Sequence, residues 1–187
     1  MPHTRSPLRL DEKRSALLVV DLQEKLAPVI PNACDIESEI VRISDAAEIM
    51  AIPAAATVQY PRGLGKLVSN LQQAFADPEE KVSFSAAVCR HNLEKWLADG
   101  RDQIVVCGIE THICILQTVL DLLAEGAKPF VVVQAVGSRN HIDHELGLQR
   151  MRDSGATLIS SESVLFEWLD TADRSEFKSI SRLIKSS

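Results

Sequence analysis

The sequence predicts an α/β fold of three layers: a six-stranded parallel sheet, Rossmann-like, with helices on both faces. Three observations predict it. Apolar runs of strand length alternate with stretches of helical spacing along the whole chain. The apolar runs are continuous, as in strands covered on both faces. Helical stretches close at Pro53, Gly126 and Gly155 before the next run begins. A doubly wound sheet of this kind has the strand order 3-2-1-4-5-6 and binds ligands at the C-terminal ends of its strands.

The elements follow in order. Ser15–Asp21 (SALLVVD) is an apolar strand ending in a carboxylate. Ile36, Ile40, Ile43, Ala47 and Met50 mark a helix over Ile36–Ile52, closed by Pro53. Ala54–Gln59 is the second strand, and Tyr60–Gly65 (YPRGLG) is a loop by its Pro and Gly content. A short third strand is expected over Lys81–Phe84 and a short helix over Asn92–Leu97. Gln103–Cys107 is the fourth strand. Thr111–Glu125 is an amphipathic helix, with Ile113, Leu116, Leu120 and Leu123 on one stripe and Gly126 behind it. Lys128–Gln134, a helix over Asp143–Ser154, and Ala156–Ile159 complete the sheet. Ser161–Leu169 and Glu176–Ile184 are C-terminal helices.

Size and composition narrow the function classes. The 187 residues suit a single domain over 1–187, opening with a polar segment over 1–13. The formal charge of −6 and the lack of a dense Lys/Arg cluster speak against nucleic acid as partner. No apolar run approaches the ~18 residues that span a bilayer, so no membrane partner is expected. The N-terminus has no apolar core of a secretory signal, and a cytoplasmic location is the expectation. Cys34, Cys89, Cys107 and Cys114 show neither CxxC spacing nor regular pairing, and read as free thiols. There is no GxGxxG or P-loop pattern, and no cofactor is expected.

Two residues stand where strands hand over to the binding edge. Cys114 lies three residues after Thr111, a plausible N-cap, so it falls in the first turn of a helix. Free amides and the helix dipole there favour a thiolate and lower the thiol pKa, which makes Cys114 a candidate nucleophile. A small buried apolar residue is the alternative for a free Cys. Asp21 ends an apolar strand, where desolvation raises a carboxyl pKa toward that of a useful base; an N-cap for the following turn is the alternative. Lys81, taken alone, reads as a surface lysine. His112 lies two residues before Cys114, on a different side of a helix, so spacing disfavours a direct pair. His141 and His144 are three apart, but no further ligand completes a metal site, and surface or capping roles suit them better.

Together, LLVVDLQEKL, VCGIETHICILQTVLDLLAEG and GLQRMRDSGATLISSES resemble the isochorismatase-like cysteine hydrolases. The resemblance spans nearly the whole chain. VQYPRGLGKLV and SRNHIDHELGLQRMRDSGA look like the isochorismatase domain-containing subgroup of unassigned substrate. It implies a triad of Asp21, Lys81 and Cys114, a cis peptide at Ile109–Glu110, and an oxyanion site at the amides of Glu110 and Cys114. Lys81 becomes a catalytic candidate only through it. Metal-binding members carry Asp-x-His and a further His after the second strand; here the sequence is QYPRGLG, so no metal is expected. The implied activity is hydrolysis of a small amide, ureido or carbamoyl compound through a thioester, with Gln23, Tyr60 and His112 lining the substrate pocket. A non-catalytic binding or scaffold protein with the same fold is the alternative. A homo-oligomer, dimeric or dimer-based, is expected, with Leu165, Phe166, Trp168, Leu169, Phe177, Ile180, Leu183 and Ile184 offering apolar surface.

Overall fold

The computed structural model describes residues 4–185. Among these the strands are β1 Ser15–Val20, β2 Ala54–Gln59, β3 Glu79–Lys81, β4 Gln103–Ile109, β5 Lys128–Gly137 and β6 Thr157–Ile159. The helices are α1 Ala33–Ile49, α2 Pro61–Leu64, α3 Ser69–Gln72, α4 Arg90–Ala98, α5 Leu116–Ala124, α6 His141–Asp153, α7 Ser161–Leu169 and α8 Phe177–Lys185. The six strands pair in parallel in the order β3-β2-β1-β4-β5-β6, the order expected from the sequence.

The sheet separates two apolar cores. Leu17 and Val19 of β1 join α1, α7 and α8 on one face through Ile36, Ile40, Trp168 and Ile180. Ala16, Leu18 and Val20 join α4, α5 and α6 on the other through Trp96, Val119 and Met151. Every residue of β1 is buried, which accounts for its unbroken apolar run. Each fully buried Leu or Ile contributes about 1.5–3 kcal/mol of transfer free energy.

Several boundaries differ from the sequence reading. α1 ends at Ile49, before Pro53: Ala51 turns left-handed at φ 52°, and the Ile52 amide bonds Ala47 O at 2.8 Å, which closes the helix first. β3 is Glu79–Lys81, not Lys81–Phe84. The chain leaves the sheet after Lys81 because the Lys81 ammonium draws in the carbonyls of Ser83 and Phe84, turning Val82 and Phe84 to solvent. Residues 1–3 of the polar N-terminal segment lie outside the described residues. The rest of that segment is pinned: Leu10 is fully buried, and the Gln103 side chain bonds both Asp11 N (2.7 Å) and Arg9 O (3.0 Å). The apolar surface expected of the C-terminal helices lies largely inside the chain, since Leu165, Trp168, Leu169 and Ile180 are buried. Phe177, Leu183 and Ile184 are partly buried against the same core, and Phe166 is exposed. No helix among the described residues is long and apolar enough to cross a membrane.

Candidate active site

Strand register assembles the site. Val20 stands beside Thr57 on β2 and beside Gly108 on β4, while Gln59 stands beside Lys81 on β3. Parallel pairing thus brings Asp21, Thr57, Gln59, Lys81 and the end of β4 to one edge of the sheet. Gly108 is needed there: at φ +119°, a Cβ on it would lie 1.9 Å from Val20 O.

Asp21 and Lys81 form a solvent-excluded ion pair, with Lys81 Nζ 2.5 Å from Asp21 Oδ2. The Thr57 hydroxyl donates to Asp21 Oδ1 at 2.8 Å. Lys81 Nζ also donates to Gln59 Oε1 (2.8 Å), Phe84 O (2.9 Å) and Ser83 O (3.2 Å). An ammonium has three N–H groups, so these four oxygens occupy it completely. Burial lifts the Asp21 carboxyl above the usual range, while Lys81, Thr57 and the neighbouring Cys114 thiol pull the other way.

Cys114 lies just beyond β4, in a wide π-type turn, Thr111–Ile115, that runs into α5. Glu110, not Thr111, holds the N-cap position. The Thr111 hydroxyl instead pairs with His144 Nδ1 at 2.9 Å. The peptide bond Ile109–Glu110 is cis. The Glu110 backbone lies close enough to the Cys114 sulfur to favour its thiolate. The Glu110 carboxylate accepts from the Arg139 amide (2.9 Å) and from Arg139 Nε (3.1 Å), tying the β4–α5 turn to the β5–α6 connection.

One expectation is reversed. The Cys114 thiol is not depressed: burial first, then the Asp21 charge, push it up to about 12. Desolvation of a thiolate beside a carboxylate outweighs what Lys81 and the Glu110 backbone return. At neutral pH the Cys114 thiol therefore keeps its proton beside Asp21. Cys107, by contrast, is core filling, fully buried in β4 with its thiol pushed far up by burial.

The three expected pocket residues separate. Gln23 is wholly buried. Its amide accepts from Gln59 N (2.8 Å) and donates to Gln59 O (3.0 Å) and Gly65 O (2.7 Å), so it clamps the YPRGLG segment to β2. Tyr60 is left-handed at φ 38°, half exposed, and its ring lies over Gly63, where a Cβ would meet it at 2.4 Å. The ring of His112 turns to Ser138 Oγ at 3.0 Å and toward Asp143. His141 is exposed on α6, whereas His144 supports the Cys114 turn through Thr111. No group of three or more His, Cys, Asp or Glu among the described residues is disposed to hold a metal. Thr57 and Gln59 escape the sequence reading, although they give the same signal as Asp21: polar side chains at the C-terminal end of an apolar strand.

The sequence profile of the Isochorismatase domain matches residues 15–163. Isochorismatase domain-containing protein 2A of Mus musculus is 41% identical over 180 residues, covering 95% of this chain and 85% of its own. The solved structure of MAR1 ribonuclease from Caenorhabditis elegans superposes with a TM-score of 0.89 at 38% identity, covering 96% of this chain and 93% of that one. The YcaC gene product of Escherichia coli, described as an octameric hydrolase of unknown specificity, shares the fold at a TM-score of 0.82 and 24% identity, over 98% of each chain. A profile match across both halves of the sheet, joined to close identity over nearly the full length, places this chain in the isochorismatase family.

Proposed function

We propose that this protein is a cysteine-dependent hydrolase of a small amide, ureido or carbamoyl compound. The carrying observation is the buried cluster in which the Cys114 thiol meets the Asp21 carboxylate, itself paired with Lys81. Membership of the isochorismatase family supports hydrolysis in general; the cluster supports the particular chemistry.

In this reading Asp21 takes the Cys114 proton as the sulfur attacks the substrate carbonyl. A carboxyl raised by burial is suited to accept that proton, and Lys81 stabilises its ionised form without leaving the pair. The carbonyl oxygen gains charge as the C–S bond forms. The Glu110 amide, on backbone close to the Cys114 sulfur, and the Cys114 amide are the donors proposed to receive it. Asp21 returns the proton to the departing nitrogen as the C–N bond breaks. Water then attacks the thioester, gives a proton to Asp21, and the thiol is restored. Because all Lys81 donors are engaged, its role is to hold Asp21 and not to bind substrate.

The C. elegans relative, named as a ribonuclease, raises a phosphodiester substrate as a second reading. The formal charge of −6 and the buried nucleophile favour a small uncharged carbonyl compound instead. A hydrolysis screen of primary amides, ureas and N-carbamoyl compounds, run beside an RNA cleavage assay, separates them, with Cys114→Ala as the blank. The expected result is Cys114-dependent release of ammonia or amine with RNA left intact. RNA cleavage without amide turnover overturns the reading. Inactivity on every compound with an unreactive Cys114 favours a non-catalytic binding protein.

A further inference from the structure

Gln59 makes contacts at both ends of its side chain and along its backbone. Its Oε1 accepts from Lys81 Nζ at 2.8 Å, and its Nε2 donates to Val82 O at 2.7 Å. Its own backbone is gripped on both sides by Gln23, which also reaches Gly65 O. The side chain is therefore fixed as firmly as a strand backbone. A lysine on a four-carbon stem has many rotamers, and the chain turns away immediately after Lys81. Carbonyls of Ser83 and Phe84 draw the ammonium toward that departing segment, whose Val82 and Phe84 side chains face solvent. Gln59 is the acceptor on the sheet side, on a central strand neighbouring that of Asp21.

We infer that Gln59 is a positioning residue, which holds the Lys81 ammonium against Asp21 and so keeps Asp21 ionised to take the Cys114 proton. The inference rests on the proposed roles of Cys114 and Asp21 and adds a dependence on a residue that touches neither. The titratable groups around this pair are few. Thr57 bonds Asp21 but carries no charge; Cys114 faces Asp21; Cys89 adjoins the pair, with Glu79 near Cys89. Cys89 is buried, its thiol pushed up to about 11, so it carries no charge near neutral pH.

The test needs no substrate. Alkylation by iodoacetamide joins the Cys114 sulfur to the acetamide carbon, expels iodide and delivers the thiol proton to Asp21. Its rate at Cys114, followed by peptide mass mapping from pH 5 to 10, rises as Asp21 ionises. In Gln59→Met the ammonium loses its sheet-side acceptor and Asp21 is less well held. The rise then moves up by about one pH unit, near ten-fold in rate on the rising limb. Gln59→Glu keeps the size and the acceptor but adds a second carboxylate that shares Lys81, and it too moves the rise upward. It guards against failure of the first variant to fold. A purely structural Gln59 lowers thermal stability and leaves the midpoint in place. An unchanged midpoint in either folded variant overturns the inference. If Cys114 of the unmodified protein alkylates no faster than exposed Cys34 at any pH, it is the nucleophile reading that fails, and the two failures are told apart.

Discussion

Lys81 Nζ and Asp21 Oδ2 lie 2.5 Å apart with no solvent reaching either side chain. A buried pair of this kind behaves unlike the surface pairs of the same chain, such as Arg90 with Glu94. Removing one partner leaves an uncompensated charge in the interior. Lys81→Met is therefore expected to lower unfolding free energy by about 3–5 kcal/mol, and Lys81→Met with Asp21→Leu by distinctly less. Urea denaturation of the single and double variants measures this. A single-variant cost below ~1 kcal/mol, the range of exposed pairs, contradicts the buried geometry.

The pH profile follows from the same pair. Burial raises Asp21, and its ionised form is the one that accepts a proton. Activity must then rise with pH through an apparent midpoint above the ordinary carboxylate value of about 4. That midpoint belongs to the coupled Asp21–Cys114 pair. The Cys114 thiol, pushed up to about 12, imposes no fall in rate near neutrality. The profile of kcat/KM for any amide found to be hydrolysed checks this, and Asp21→Asn abolishes the rising limb together with most of the rate. A limb centred at or below the ordinary carboxylate value tells against Asp21 as the base.

Gly147 of α6 lies against the turn that carries Cys114. A Cβ there would meet His112 Cα at 3.1 Å, His112 N at 3.2 Å and Thr111 C at 3.2 Å, all backbone. Backbone gives way less readily than a side-chain tip. Gly147→Ala is expected to cost about 1–3 kcal/mol, as overpacking does, and to shift the Cys114 turn, lowering kcat more than it changes KM. Thermal melts and steady-state rates read the two effects. Full activity in this variant means the turn is not held by α6.

The homo-oligomer expected from the sequence remains a prediction, with a different surface. The C-terminal helices turn most of their apolar side chains inward, whereas Ile142 and Leu146, one turn apart on α6, are 59% and 51% exposed. Sedimentation velocity at micromolar concentration is expected to report a dimer or a multiple of it, and Ile142→Glu with Leu146→Glu to reduce its size. A single-chain species for the unmodified protein removes the prediction.

The part of the molecule legible in the sequence is the part written in local pattern. β1 is buried on both faces, so it reads as an unbroken apolar run, and Asp21 stands out at its end. Gly126 and Gly155 close α5 and α6 at positive φ, as their positions imply. Lys81 is not legible locally, because its burial depends on pairing in the sheet and on two carbonyls that the chain bends back to offer. The thiol state of Cys114 escapes a local reading for a related reason. Helix-end position is a local property, whereas desolvation is set by the whole fold, and here desolvation prevails. Gln23, polar and beside a candidate base, reads as a pocket residue. Its partners lie across the chain at Gln59 and Gly65, and no local spacing reveals them.

In the proposed mechanism the Cys114 sulfur carries the acyl group. Mass mapping of protein quenched during turnover of an amide or carbamoyl compound found in the screen tests it most directly. An acyl or carbamoyl adduct is expected on the peptide bearing Cys114, lost on longer incubation and missing in Cys114→Ala, which also loses turnover. Turnover retained in Cys114→Ala, or an adduct on another residue, would contradict it.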